Sequence, residues 1–127
     1  MGTSIEVPSQ TWQVGAFEDT FDTPPENSTG YRVSLDNRPN WPTGQCVRIN
    51  VDVSFDEGAT WQADSENTFS GQVTGKGGVS IPNATVTSGW PTIMVNGVPT
   101  LRPADAVRVT LTAFAVFEAA LSAGWSA

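Results

Sequence analysis

Val47-Arg48-Ile49-Asn50-Val51-Asp52-Val53-Ser54-Phe55 alternates without a break: Val47, Ile49, Val51, Val53 and Phe55 fall on one side, Arg48, Asn50, Asp52 and Ser54 on the other. Side chains of an extended chain point to opposite faces at successive positions, so this stretch predicts a strand with one buried and one wet face. A second run starts at Val107 and sets Val107, Val109, Leu111, Ala113, Ala115 and Phe117 against Arg108, Thr110, Thr112, Phe114 and Val116. Its second face turns apolar toward the end, which predicts one strand covered on both sides there. Shorter candidates are residues 4–7, 12–17, 31–35, 60–64, 69–73, 79–81 and 85–88. With 15 threonines and 14 valines against four leucines, the composition favours pleated surfaces over helices. Turn-rich stretches at 23–30, 37–45 and 75–78 separate the strands, and short strands at such intervals predict an all-β chain: one antiparallel, jelly-roll-like β-sandwich domain over 1–127. Asn96-Gly97 between apolar flanks predicts a two-residue hairpin turn, and Pro99 confines the returning strand to an edge. Residues 119–125, rich in alanine, fit either a helical turn or a surface tail.

The inventory excludes many functions. The chain has 127 residues, 13 acids, 6 bases, a net charge of -7 and a pI near 4.2, which disfavours nucleic acid and anionic membranes as partners. It contains no histidine and one cysteine, Cys46, so histidine-based nucleophilic sites, histidine metal cages, zinc clusters and internal disulfides cannot be assembled from it. Cys46 reads as a small buried apolar residue. The first residues lack the basic and apolar regions of a secretion signal, and no run is apolar enough for a membrane helix. Asn27-Ser28-Thr29 and Asn83-Ala84-Thr85 match a glycosylation triplet that also arises by chance. The reading is of a protein with no enzymatic activity, cofactor or resident metal. Two carboxylates across a cleft would suffice for glycoside hydrolysis, but spacing alone places no such pair.

One motif is specific. Ser54-Phe55-Asp56-Glu57-Gly58-Ala59-Thr60-Trp61 resembles the Asp-box, Ser-x-Asp-x-Gly-x-Thr-Trp, a β-hairpin signature of sialidase propellers and other β-proteins. Ser54, Asp56, Gly58, Thr60 and Trp61 fill its specified positions. An acid to accept turn N–H groups, a glycine for positive φ and a tryptophan to fold beneath describe a turn rather than a catalyst. A calcium site from Asp52, Asp56, Glu57 and Asp64 is the competing use, though their spacing matches no EF-hand. Glu18, Asp19, Asp22 and Glu26 read as acids of a solvated, proline-rich loop.

The order of segments is similar to that of small virion proteins of tailed bacteriophages: Ile5 through Gly15, the strand Tyr31 to Leu35, Asn40-Trp41-Pro42, Val47 through Trp61 with its box, and the closing Val107 to Leu111. That resemblance implies a capsid decoration (cement) protein, a homotrimer that binds the major capsid protein or another virion protein on the outer shell, made in the host cytoplasm. A tail or baseplate component is the first alternative. Ile5, Val7, Trp12, Trp41 and Trp90 are candidate interface residues, with residues 1–12 as an arm or edge strand laid onto a neighbour; core packing is the preferred reading of any single tryptophan, with Trp41 and Trp90 as the exceptions. The competing class is a carbohydrate-binding sandwich in which Trp41 and Trp90 form a stacking platform.

Overall fold

A computed structural model describes residues 2–35, 44–64, 69–74, 78–79, 85–88 and 90–127. Every regular element among them is a strand: β1 (Ser4–Trp12), β2 (Gly15–Asp22), β3 (Gly30–Leu35), β4 (Gly44–Ser54), β5 (Gln62–Ala63), β6 (Phe69–Thr74), β7 (Gly78–Val79), β8 (Thr85–Ser88), β9 (Thr92–Val95), β10 (Val98–Leu101), β11 (Ala106–Ala113) and β12 (Phe117–Ser126). One sheet runs β1-β12-β3-β8 and the other β2-β11-β4-β6-β7, with β5 beside the lower part of β4 and the β9–β10 ribbon apart.

This strand order is the jelly roll. Setting aside the short β5 and β7 and the ribbon, the eight remaining strands pair first with last, second with seventh, third with sixth and fourth with fifth: β1 with β12, β2 with β11, β3 with β8 and β4 with β6. The chain is thus one long antiparallel hairpin wound into two facing sheets. Its core forms where their inner faces meet. Val47, Ile49, Val51 and Val53 of β4 meet Val107, Val109 and Leu111 of β11 in register and face Ile5, Tyr31, Val33, Leu35, Phe117 and Leu121 of the other sheet, all buried. Withdrawing each large apolar side chain from water contributes roughly 1.5–3 kcal/mol.

Three expectations are corrected. The run from Val107 is not one strand covered on both sides: the chain leaves the β2 sheet after Ala113, turns through Phe114 to Val116, and enters the other sheet as β12. The apolar Phe114 and Val116 belong to that turn and are exposed. Residues 119–125 are neither helix nor tail but the centre of β12, between β1 and β3. Their small side chains suit a crowded position, since a Cβ on Gly124 would stand 3.4 Å from that of Ser4. The candidate strand at 12–17 is two strand ends, with the crossover between sheets at Gln13 and Val14.

Candidate functional site

The connections at 23–29, 55–61 and 90–105 share one end of the sandwich, because Asp22, Ser54 and Ala106 lie level across the β2, β4 and β11 registers. The box turn, 55–61, is held by hydrogen bonds within itself. Ser54 is fully buried, and its hydroxyl accepts the Gly58 N–H at 2.8 Å while donating to Asp56 Oδ1 at 2.8 Å. Asp56 Oδ1 also accepts the Thr60 N–H at 2.9 Å, and Oδ2 accepts the Thr60 hydroxyl at 2.6 Å. These bonds, the Thr60 hydroxyl foremost, lower the Asp56 pKa from 3.8 to about 2, because each favours the ionised form. Glu57 and Gly58 take φ of 59° and 91°. Trp61 lies under the Arg108 guanidinium, 4.7 Å from ring centre, and Arg108 pairs with Asp52 at 3.3 Å.

Three of the four acids considered for calcium are turned elsewhere. Asp52 faces Arg108, Asp56 closes its own turn, and Asp64, buried on the far side of β5, accepts the Tyr31 hydroxyl and so ties the two sheets together. Among the described residues no three such ligands converge. Glu18, Asp19 and Asp22 are strand residues of β2, not loop residues, and only Glu26 of that set stands in the loop.

The candidate interface residues also need correction. Ile5 and Trp12 are core residues, 2% and 6% exposed, and the Trp12 indole N–H donates to the Ala119 carbonyl at 3.0 Å. Val7 is half-buried against the same core. Residues 4–12 are an edge strand paired with β12 of their own chain. Period-two spacing places the inward face of β1 but does not show that an opposite sheet waits to cover it. Trp90 is half-buried, packs on the core, and tilts against Trp125 with ring centres 5.9 Å apart, so part of its surface is taken up within the chain. Trp41 lies outside the described residues, as do residues 37–43 of the turn candidate at 37–45, whose last two positions instead open β4; the Cys46 side chain is likewise not described.

The β9–β10 ribbon is what the sequence reading missed as a site. It reverses at Asn96-Gly97, with φ of 51° and 79°. Met94, Val95, Val98 and Leu101 are 65%, 41%, 60% and 66% exposed. The residues from Pro91 to Leu101 carry no charge. A two-stranded ribbon is marginal alone in water. Here its base is fixed by the Arg102 N–H donating to the Pro91 carbonyl at 3.1 Å and by the Arg102 guanidinium lying 4.6 Å over the Phe55 ring. The signal was legible in part: Asn-Gly between apolar flanks marked the hairpin, and the lack of any charge from Pro91 to Leu101 is the signal that could have marked it as a site. Beside it lies a groove of about 670 Å³ whose walls include Gln62, Ala63, Asp64, Thr92, Met94 and Arg102. At the opposite end of the sandwich Val14, Phe114 and Val116 form smaller exposed apolar turns.

Comparison with family models, curated protein sequences and solved structures returns no match.

Proposed function

We propose that this protein is a non-enzymatic structural component of a tailed-phage virion, a decoration protein that docks on the capsid surface through its ribbon end. The observation that carries the reading is the ribbon: four exposed apolar side chains in an uncharged segment, projecting from a jelly roll of net charge -7. Large apolar groups held out on a short ribbon are costly in water and favourable once a partner covers them. The surplus acids elsewhere keep decorated particles from adhering to one another. On a symmetric shell many copies act together, so a contact below the roughly 1,200–2,000 Å² of a standard interface still holds a stable layer.

The test is composition and attachment. Purified particles of the virus or prophage encoding the chain should contain it in fixed proportion to the shell protein, as a trimer, and should lose heat resistance without it. Met94→Asp combined with Val98→Asp should abolish attachment while leaving the melting temperature of the free protein unchanged. Particles devoid of the protein, or attachment that survives both charges, would overturn the reading; recovery with isolated tails would move the protein to the tail.

A further inference from the structure

The groove beside the ribbon is bounded by two strand edges. Val95 and Val98 flank the two-residue turn and form a hydrogen-bonded pair, so alternation makes Met94 opposite Pro99 and Thr92 opposite Leu101 non-bonded pairs. The Arg102 to Pro91 bond continues the same pattern. The N–H and C=O of Thr92 and Met94 therefore point away from β10. On the far edge of β10 the matching position is Pro99, which has no N–H to offer. On β5, the Asp64 N–H donates to the Val51 carbonyl at 2.8 Å, which makes that a bonded pair and turns the peptide groups of Ala63, opposite Asp52, outward. The groove is lined by β5, β9 and residues flanking them, with Val53 of β4 at its floor, and includes no residue of β10. Two sets of outward peptide groups thus border one cavity.

We propose that this groove receives an extended peptide segment bearing a carboxylate side chain, which adds as a strand between β5 and β9 and pairs with Arg102. Strand addition supplies hydrogen bonds to the outward peptide groups of both edges, while Met94, exposed on the groove wall, seats an apolar side chain of the guest. The charge of the guest follows from the two ionisable groups in the groove. Asp64 is buried and engaged with Tyr31, whereas Arg102 is exposed, is held over Phe55, and has no carboxylate partner among the described residues. At about 670 Å³ the space falls within the roughly 300–1,000 Å³ usual for ligand sites. The proposal rests on reading the chain as a protein-binding module and adds the chemistry of the partner; it does not depend on the virion.

The probe is a peptide of alternating valine and glutamate, of roughly seven residues to match strand length, titrated into the isotope-labelled full chain and followed by amide shifts. Saturable shifts at Ala63, Thr92 and Met94 are expected. Arg102→Gln should weaken binding about fivefold, the upper end for an exposed ion pair, and a lysine-for-glutamate peptide should bind about tenfold more weakly. Because Arg102→Gln also removes the stacking on Phe55, a second variant is needed: Met94→Pro deletes one outward donor and no bond to β10, and should abolish binding that Met94→Leu retains. Absence of shifts at those amides, equal affinity for the lysine peptide, or a dimer formed through β9 without peptide would each overturn the proposal. Peptide binding by a protein that attaches to no particle would leave the groove standing and remove the virion reading; attachment without peptide binding would do the reverse.

Discussion

The two turns at the ribbon end have the same backbone and opposite surroundings. Glu57-Gly58 and Asn96-Gly97 both place two successive residues at positive φ. In the box turn the polar side chains bond within the turn itself, with a buried serine and an acid whose two oxygens are taken up there. In the ribbon the flanking side chains are apolar and directed outward. One loop is complete in itself and the other becomes complete only against something else. The backbone turn type therefore says little about role; what decides it is where the neighbouring side chains find their partners.

The sharpest way to break that contrast is Ser54→Ala. It leaves the Gly58 N–H without its buried acceptor and should cost about 1–3 kcal/mol, read as a lower urea midpoint; an unchanged midpoint would mean that the turn holds without its internal bonds. A smaller effect comes from Asp56→Asn. Because the folded pKa of Asp56 is depressed from 3.8 to about 2, its charged form favours the fold above the unfolded value, and that contribution disappears as pH falls through the folded one. Acid titration of the wild type should lose stability over that window, and the asparagine variant should show a flatter slope there. The smallest effect is expected in the ribbon: Leu101→Ala should shift stability by no more than about 0.5 kcal/mol, since the side chain is 66% exposed. A larger loss would show that the ribbon is packed in the free protein.

The sequence carried the architecture further than the site. Strict alternation marked β4, and Asn96-Gly97 marked the hairpin, because both signals are local. The β11–β12 break was hidden, because the apolar run Phe114-Ala115-Val116 looks like a strand buried on both faces when in fact the chain changes sheets there. β12 itself was obscured by alanine and glycine, chosen for closeness to β1 rather than for strand propensity. Ile5 and Trp12 read as surface anchors because much of their cover comes from residues more than a hundred positions away, such as Phe117, Ala119 and Ala123, although Trp12 also meets the nearby Phe17. The outward peptide groups of the groove depend on pairing register, which no short window of sequence contains.

The pairing of β1 with β12 sets Ser4 opposite Gly124, and the Thr29 N–H reaches the Ser126 carbonyl at 2.7 Å. Head and foot of the polypeptide consequently emerge together, on the same side as the apolar ribbon. A fluorescent or affinity label fused at either terminus would crowd the very surface whose binding it was meant to report, whereas an insertion at Gln13-Val14 would sit at the opposite pole and leave that surface open.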